Sequence, residues 1–382
     1  MNNINSALGF VWKSTLEELK LRVDDEAMDK WFYCFSIVKI KKNLVVFRYT
    51  GNGDMNEFND KWKEVFFDCF FTVLGYETEI KIEQVKTRED KKDRRIRKLG
   101  AFIAAAALVC AAAAVIVLGM SYISNLTFEE DFYQVGNGRI NGNLRIIQLS
   151  DLHKKVFGPG NSELIKAATE LKPDAFFITG DMVSRSVKNF DTLKPLITEL
   201  NKTAPVYYAL GNHETDMENV NLKLYKELMA FIKENCIMLD NATAVIRKND
   251  VDIRVSGLTI YQECYKNNGS YRNLRGLSHE EIHNLLGEKP DPDAVNILLA
   301  HNPNFLDSYA EYGSDLVLSG HVHGGCVRLP FIGGVLSPER KFFPKYSLGK
   351  YTEKNTTMIV TSGLGKFRLF NPPEIVVIDL IN

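Results

Sequence analysis

The side chains best suited to chemistry in this sequence are carboxylates and imidazoles that follow short apolar runs. Five of the seven histidines lie directly after such a run, together with two aspartates and one asparagine. Asp, His and Asn supply oxygen and imidazole nitrogen ligands but no thiolate, a set that suits Mn, Fe or Zn held with open coordination positions. We therefore expect a catalytic metal site. Its candidate residues are Asp151, His153, Asp181, Asn212, His213, His301, His321 and His323.

The size of this set indicates how many ions it holds. Eight candidate residues are too many for one ion but suit two ions about 3.5 Å apart that share a carboxylate. Such a pair neutralises charge on a phosphate ester and lowers the pKa of bound water, so that hydroxide attacks phosphorus near neutral pH. The pattern therefore predicts phosphate ester hydrolysis by two divalent metal ions, without a serine or cysteine nucleophile.

Parallel strands explain how residues so distant in sequence can meet. Apolar runs typical of buried strands lie at 144–149, 175–179, 206–210, 295–300 and 316–318, and helical segments lie near 162–171 and 191–200. Asp151 and Asp181 are 30 residues apart, the length of one β-α-β unit, and Asn212 follows 31 residues later. Successive strands are thus expected to present their ligands at one end of a sheet.

These blocks resemble the calcineurin-like metallophosphoesterase family, whose pattern D-x-H, G-D, G-N-H-[ED], H and G-H-x-H appears here complete and in order. The resemblance covers residues 143–382 and implies an α/β fold, a β-sandwich of two mixed sheets flanked by helices. It implies that His213 is the acid that protonates the leaving oxygen or stabilises phosphoryl charge. It also implies one metal on Asp151, His153 and His323, a second on Asn212, His301 and His321, and Asp181 as the bridge.

The C-terminal sequence looks like the membrane-anchored bacterial branch of that family, which includes UDP-diacylglucosamine pyrophosphatases. Val322 and Cys326 depart from the usual Thr and Gln, which leaves the ligands in place and the substrate open. The candidates are phosphate monoesters, diesters and pyrophosphates, among them a lipid-linked or envelope substrate. The substrate-binding residues are not identified, because Lys154, Arg185, Arg328, Lys341 and Arg368 fit surface charges as well as phosphate ligands. The similar stretches are Leu329-Pro330-Phe331-Ile332-Gly333-Gly334, Phe343-Pro344-Lys345-Tyr346, Gly363-Leu364-Gly365 and Phe370-Asn371-Pro372-Pro373-Glu374.

An uncharged segment of 25 residues, 99–123, precedes these motifs. At about 1.5 Å per residue it exceeds the ~30 Å hydrocarbon layer and predicts one transmembrane helix. A buried helix of a soluble protein fits less well, because core helices rarely lack polar residues over such a length, and a cleaved signal peptide lies at the N-terminus. Eight Lys or Arg in 86–98, against three acids after the segment, predict a cytoplasmic N-terminus. We therefore expect a single-pass cell-membrane protein with linkers 86–98 and 124–142 and an extracytoplasmic catalytic domain, 143–382.

The first 85 residues predict a small α+β domain in the order α-α-β-α-β. Apolar residues recur at helical spacing within 8–19, 28–35 and 58–73, and strand-like runs lie at 44–49 and 78–83. The domain resembles the N-terminal interaction domain of the bacterial replication initiator, which implies a cytoplasmic protein partner such as the replicative helicase, or self-association. A structural cap on the membrane anchor is the alternative, since apolar spacing specifies a core rather than a partner. The resemblance rests on Trp12-Lys13, Leu16-Glu17-Glu18-Leu19, Trp31 and Asn56-Glu57-Phe58.

Composition limits the remaining functions. The 47 Lys and Arg nearly balance the 48 Asp and Glu, so we expect no nucleic-acid partner. Six cysteines without a C-x-x-C pair argue against a zinc ribbon, a thioredoxin-like site or a disulfide scaffold. His279-Glu280-Glu281-Ile282-His283 matches the zinc-protease pattern, but so short a pattern arises easily by chance, and a solvated surface helix fits better. The alternatives left open are a signalling or scaffold protein that acts through its cytoplasmic domain, and a protein or nucleotide phosphatase.

Overall fold

A computed structural model describes the chain in two compact units, Met1–Ala112 and Ala113–Asn382. For residues 2–8 and 88–94 it describes the backbone alone. The boundary between the units falls inside one long helix, so the end of that helix belongs to the second unit. The described residues are 2–41, 43–85, 88–140, 142–248, 250–267, 269–287, 290–329, 331–365 and 368–382.

The first unit packs helices against a three-stranded sheet of order β1-β2-β3. Its core is aromatic: Trp31, Phe32, Phe47, Phe58 and Phe66 are at most 1% exposed. Its helices are α1 (Asn2–Lys20), α2 (Asp25–Lys30), α3 (Met55–Lys61) and α4 (Lys63–Leu74), and its strands are β1 (Phe35–Lys41), β2 (Leu44–Tyr49) and β3 (Glu79–Gln84).

The order α-α-β-α-β predicted for this unit misses one strand, and the single helix expected over 58–73 is divided into α3 and α4 at Trp62. Phe35 was expected on the second helix, but that helix ends at Lys30 and Phe35 begins β1. β1 then runs antiparallel to β2, which pairs in parallel with β3. The prediction failed because Phe35 continues the helical apolar spacing of Met28, Trp31 and Phe32, so that periodicity alone cannot locate the end of the helix.

Helix α5 (Arg88–Ser124) is 37 residues long and joins the two units. Within its segment Arg95–Ser124, the most apolar stretch of 18 residues has a mean hydropathy of 2.8. None of the residues in that stretch is buried. By length and composition this segment could cross a membrane. The linker expected at 86–98 is helical from Arg88 onward. Lys86 lies outside the described residues, as do the side chains of Arg88, Lys91, Lys92 and Arg94.

The second unit is a sandwich of two six-stranded mixed sheets flanked by helices, as predicted. The first sheet has the order β4-β17-β5-β6-β7-β8 and the second β15-β16-β12-β11-β10-β9, and β13 and β14 form a separate pair. The strands are β4 (Glu129–Gly136), β5 (Leu144–Leu149), β6 (Ala175–Thr179), β7 (Val206–Ala209), β8 (Ile237–Leu239), β9 (Ala242–Lys248), β10 (Val251–Leu258), β11 (Val295–Ala300), β12 (Leu316–Ser319), β13 (Val327–Leu329), β14 (Gly333–Leu336), β15 (Gly349–Glu353), β16 (Thr356–Val360) and β17 (Glu374–Ile381).

Alternation of apolar side chains along the strands fixes the layers of this unit. Ile146 and Phe177 of the first sheet meet Val255 and Leu299 of the second in one core between the sheets. The opposite faces of the same strands carry helices, so that both sheets are covered on both sides. The helices are α6 (Ser162–Glu170), α7 (Leu193–Thr203), α8 (Asn212–Val220), α9 (Leu222–Asn235), α10 (His279–Leu286) and α11 (Leu306–Tyr312).

The linker expected at 124–142 contains strand β4, which pairs in parallel with β17 along its whole length. This strand begins with three acidic residues, Glu129, Glu130 and Asp131. An edge strand tolerates such residues, because one side of it faces water. The sandwich therefore begins before residue 143.

One buried asparagine holds the loop after β5, which carries Asp151 and His153. Asn161 is fully buried with φ 64°, in the left-handed region. Its Oδ1 accepts a hydrogen bond from Phe157 N at 3.0 Å, and its Nδ2 donates to Thr192 O at 2.9 Å. The side chain thus bonds the loop to the residue that precedes α7.

Asn161→Ala should lower the stability of the second unit by roughly 2–4 kcal/mol, because it leaves buried backbone groups unbonded and forces alanine into a left-handed conformation. Asn161→Gly should cost about 1 kcal/mol less, since glycine tolerates that conformation. Thermal unfolding followed by circular dichroism measures the loss. All three tryptophans, Trp12, Trp31 and Trp62, lie in the first unit, so the tryptophan fluorescence transition should stay in place. A shift common to both signals would contradict a local effect.

Candidate metal centre

The predicted metal ligands meet where strands of the two sheets end side by side. Asp151 and His153 follow β5, Asp181 follows β6, and Asn212 begins α8 after β7. From the second sheet, His301 follows β11, while His321 and His323 follow β12. Polar loops at the carboxyl ends of parallel strands are the usual place for ligands in such sheets. The structure therefore brings the seven predicted metal ligands and His213 to one end of the sandwich.

Three groups of side chains within this cluster place donor atoms within 4.8 Å of one another. Asp151 Oδ1 lies 3.8 Å from His153 Nε2 and 3.6 Å from His323 Nδ1. Asp181 Oδ2 lies 3.3 Å from His301 Nε2 and 3.8 Å from His153 Nε2. Asp181 therefore lies between two sets of histidines, one that contains His153 and His323 and one that contains His301 and His321. The groups are Asp151, His153 and His323; His153, Asp181 and His213; and Asp181, His301 and His321.

Five residues of this cluster have a left-handed backbone conformation that non-glycine residues rarely adopt. Each costs of order 1 kcal/mol, a strain that persists only where the surrounding structure imposes it. Such strain is concentrated at functional sites. The residues and their φ values are Asp151 (56°), His153 (55°), Asp181 (56°), His321 (65°) and His323 (53°).

Close approach of two loops requires glycine at two positions beside this cluster. A Cβ on Gly180 would lie 2.4 Å from Gly211 N, and one on Gly211 would lie 2.4 Å from Asp181 N. Neither backbone atom can move without disturbing Asp181 or Asn212. The glycines of the G-D and G-N-H motifs therefore let the loops after β6 and β7 touch.

A buried carboxylate, Glu214, bonds these two loops together. Its Oε2 accepts from Asp181 N at 2.8 Å and from Gly211 N at 3.1 Å. Its Oε1 accepts from Met182 N at 2.7 Å and from the Tyr208 hydroxyl at 3.0 Å. Burial, reinforced by the Asp181 carboxylate, raises the pKa of Glu214 to about 7. The sequence analysis placed Glu214 in the G-N-H-[ED] motif but gave it no role.

Hydrogen bonds to the far side of three imidazoles fix which ring nitrogen faces the cluster. His301 Nδ1 lies 2.6 Å from Thr179 O, which can only accept, so Nδ1 carries a proton and Nε2 faces the carboxylates. His321 Nε2 lies 3.1 Å from Glu339 Oε1, which leaves Nδ1 toward the cluster. His153 Nδ1 lies 3.2 Å from the Ser184 hydroxyl. Partners of this kind orient metal-bound imidazoles and raise their basicity.

Charges within the cluster are strongly coupled. Burial raises the pKa of Asp151, and the neighbouring His301 only partly opposes this. Burial would also raise the pKa of Asp181, but His301 and His213 outweigh it and hold that pKa well below its usual range. For His301, burial lowers the pKa, yet Asp181 and Asp151 outweigh it and raise the value to about 9. Positive charge between the two carboxylates is therefore strongly favourable. A metal ion bound there must displace any proton on His301 Nε2.

The donor atoms fit a pair of divalent cations. Ligands bound at about 2.0–2.2 Å lie about 3–3.6 Å from one another, close to the distances between these carboxylates and imidazoles. Asp151 Oδ1 and Asn212 Oδ1 are buried, and neither has a hydrogen-bond partner among the described residues. Buried oxygens of this kind are explained when they bind an ion. Oxygen and imidazole ligands around a shared carboxylate are suited to a dinuclear centre.

Comparison with known proteins identifies the domain that carries this centre. Residues 144–325 match the sequence model of the calcineurin-like phosphoesterases. The chain carries a calcineurin-like phosphoesterase domain. It is a metal-dependent hydrolase with a dinuclear divalent metal centre.

Three relatives are similar to this chain, and in each the similarity covers most of the relative's own length. YkuE of Bacillus subtilis, an uncharacterized metallophosphoesterase, is 27% identical over 257 residues, with 62% of this chain and 78% of the relative covered. The phosphodiesterase YaeI of Escherichia coli is 25% identical over 244 residues, with 62% and 82% covered. The UDP-2,3-diacylglucosamine pyrophosphatase LpxG of Chlamydia muridarum is 23% identical over 277 residues, with 61% and 82% covered.

Arg368, which the sequence analysis left open between a surface charge and a phosphate ligand, is buried in the second unit and only 2% exposed. Its Nη2 donates to Gly363 O at 2.9 Å, and Nη1 donates to His323 O at 3.3 Å and to Ser362 O. Burial lowers the pKa of Arg368 to about 10. The side chain therefore supports the loop of a candidate ligand, a role that nothing in the local sequence around Arg368 indicates.

The other basic candidates lie in different surroundings. Lys154 and Arg185 line a cavity beside His153 and His213. Lys341 Nζ lies 2.8 Å from Glu339 Oε2 and so reaches the site only through the carboxylate that orients His321. Arg328 lies in a separate depression with Leu329 and Phe331. Pro330, in the same stretch, lies outside the described residues.

The protease-like pattern lies on α10, where Ser278 and Glu281 form a capping box. His279 Nδ1 lies 3.3 Å from Glu311 Oε2, and the His283 ring packs on Tyr312 at 4.8 Å between centroids. Neither histidine belongs to a possible metal group within the described part of the chain. The helix therefore agrees with the surface interpretation.

Glu214→Gln should weaken metal binding by about 10- to 100-fold, the usual effect of removing a group that orients metal ligands. Whichever oxygen the amide nitrogen replaces, its hydrogens would face a backbone N–H of the loop after β6, either Asp181 N or Met182 N, and move Asp181. Calorimetric titration of the stripped protein with Mn²⁺ measures the affinity. Glu218→Gln, an exposed change on the same helix, is the matched control and should bind as the wild type does. Equal affinities for both variants would contradict the role given to Glu214.

Proposed function

We propose that this chain is a membrane-anchored phosphoesterase that hydrolyses a phosphate monoester, phosphate diester or pyrophosphate bond of a lipid-linked or envelope substrate. The observation that carries the proposal is the cluster of two carboxylates and imidazoles whose donor atoms meet at the sheet ends. The phosphodiesterase and UDP-2,3-diacylglucosamine pyrophosphatase relatives support hydrolysis of diester or pyrophosphate bonds.

In this proposal Asp151, His153 and His323 would hold the first metal, and Asn212, His301 and His321 would hold the second. Asp181 would be shared by both ions, which is supported by its carboxylate lying near both His153 and His301. When bound, the ions neutralise phosphoryl charge and lower the pKa of water to near neutrality. The side chains of the protein must then orient the ester, exclude competing water and supply a proton to the leaving oxygen.

His213 is the proposed proton donor, and its surroundings select the right tautomer. Its Nδ1 lies 3.1 Å from Arg185 N, a backbone donor, so Nδ1 must accept. The proton of the neutral ring is therefore on Nε2, which lies 3.9 Å from Asp181 Oδ2 and faces the cluster. A proton held there is within reach of a phosphate ester bound at the metals.

A second cavity of about 350 Å³ opens beside these residues. It is lined by Tyr265, Tyr271 and Lys266 as well as by His213. Aromatic faces and a lysine suit the polar substituent of the ester, such as a sugar or nucleoside diphosphate. We assign this cavity to the part of the substrate that lies away from the lipid.

His213→Asn should keep both metals and slow turnover by about 10²-fold or more, because general acid catalysis contributes about that much. The loss should be smaller for 4-nitrophenyl esters, whose leaving group needs no proton, than for phenyl esters. Metal analysis and turnover on both series measure this. An equal loss on both series would argue instead that His213 stabilises the phosphoryl group.

The proposed topology places the N-terminus in the cytoplasm and the phosphoesterase domain outside. It rests on the basic residues before the apolar segment of α5 and the acidic residues after it. An active site on the outer surface would meet lipid-linked and envelope phosphates and not the abundant cytosolic nucleotides. A protein or nucleotide phosphatase would need the opposite side.

The first unit would then lie in the cytoplasm, where we propose that it binds a protein partner or a second copy. Exposed apolar side chains on this unit support such a role: Phe10 is 71%, Leu21 81% and Tyr33 48% exposed.

A chain that lacks residues 1–85 should keep its phosphoesterase activity. Loss of that activity would contradict this separation of functions between the two units.

Protease added to intact spheroplasts should digest the phosphoesterase domain and spare an N-terminal tag. The purified full chain should also hydrolyse 4-nitrophenyl phosphate esters with Mn²⁺ and lose that activity with a chelator. Immunoblotting of the tag and of the domain measures the digestion, and colorimetric turnover measures the hydrolysis. Removal of the tag with survival of the domain would reverse the topology, and hydrolysis that resists the chelator would reject the metal mechanism.

A further inference from the structure

A cavity of about 620 Å³ lies between the end of helix α5 and the metal-ligand loops. One wall consists of Tyr122, Asn125 and Leu126, at the end of the helix and in the turn after it. The rest of its lining includes His153, Lys154 and Arg185, and His213 borders this cavity as well as the smaller one. We call it the helix-end cavity. It reaches from the proposed bilayer surface to the proposed proton donor.

The wall formed by the helix end is held in place by the phosphoesterase domain. Asn125 is buried, and its Nδ2 donates to Arg368 O at 2.8 Å while its Oδ1 accepts from Arg368 N at 3.3 Å. Lys155 Nζ also donates to the Asn125 carbonyl, which it caps at the end of the helix. Arg368 in turn bonds the His323 carbonyl. The wall is therefore joined to the metal loops and is not a loose tether.

The two walls differ in chemistry. Tyr122 is 61% and Leu126 51% exposed, and they continue the exposed apolar surface of Leu118 and Ile123 on the same helix. Apolar surface left in water is unfavourable and is covered when hydrocarbon lies against it. In the same cavity, Lys154 and Arg185 supply positive charge, although Arg185 also pairs with Asp216. An amphiphile with a phosphate matches both walls at once.

We propose that the helix-end cavity binds the hydrocarbon part of a membrane-resident phosphate ester. The apolar portion lies against Tyr122 and Leu126, and the phosphate reaches the metals between Lys154 and His213. The substrate thus enters from the bilayer along α5 rather than from bulk water. This inference rests on the proposed function, because it assigns part of the substrate of that same site to a particular cavity.

A series of alkyl 4-nitrophenyl phosphate diesters, from methyl to hexyl, tests the cavity with the full chain in one detergent at one concentration. Each fully buried methylene favours binding by about 0.8 kcal/mol, which corresponds to about fourfold. For the wild type, kcat/KM should therefore rise about two- to fourfold per methylene. In Leu126→Glu this rise should fall toward onefold, because a carboxylate replaces the apolar wall.

Val245→Glu is the matched control, since Val245 is 49% exposed on β9 and does not line the cavity. It should keep the wild-type dependence on chain length. Partition of the esters into micelles is common to all variants and cancels in the comparison. Bound-metal content shows whether each variant is folded, and Tyr122→Ser replaces Leu126→Glu if that variant loses its metals.

The outcomes separate this inference from the proposed function. If the folded cavity variant and the wild type depend equally on chain length, or the wild type shows no dependence, the cavity does not bind hydrocarbon and the inference is wrong. In that case hydrolysis of the methyl ester still supports the phosphoesterase. If the wild type with Mn²⁺ hydrolyses neither a member of the series nor 4-nitrophenyl phosphate, the proposed function itself fails.

Discussion

Glu214 bonds the loop of the central carboxylate to the loop of a neighbouring ligand, and the geometry of the metal centre depends on this bond. Its two oxygens accept from Asp181 N, Met182 N and Gly211 N, so the loops after β6 and β7 cannot separate. Asp181 would otherwise relax from its left-handed conformation, which costs of order 1 kcal/mol. Each charge-assisted hydrogen bond is worth about 1.5–3 kcal/mol, enough to outweigh that strain. A buried acid thus stabilises the position of the acid that lies between both metal sites.

The second sheet is positioned by equally specific contacts. His301 is oriented by the carbonyl of Thr179, which belongs to the first sheet. His321 N donates to Asp151 Oδ2 at 3.1 Å, again between the sheets. The site therefore forms only when the sandwich closes. These contacts between the sheets also hold the strained loops of the cluster in place.

The local sequence pattern was sufficient to predict the strands that are mostly apolar along their length and the ligands that directly follow a strand. Strands 144–149, 175–179 and 295–300 have the predicted bounds, because they are buried on both faces. The pattern failed for β1, whose start continues a helical spacing, and for β4, whose acids suit an edge. It could not reveal Arg368, Glu339 or the role of Glu214. The ligand-loop residues that these side chains bond, His323, His321 and Asp181 respectively, lie 18 or more positions away in the sequence and are brought close only by the fold.

The central claim is that the residues gathered at the sheet ends hold two divalent ions that share Asp181. Electron paramagnetic resonance of the Mn²⁺-loaded full chain tests it most directly. Two ions about 3.5–4 Å apart across a carboxylate are magnetically coupled. The account predicts two Mn²⁺ per chain and the multiline spectrum of a coupled pair. A single ion per chain, or two ions with the six-line spectra of isolated Mn²⁺, would contradict it.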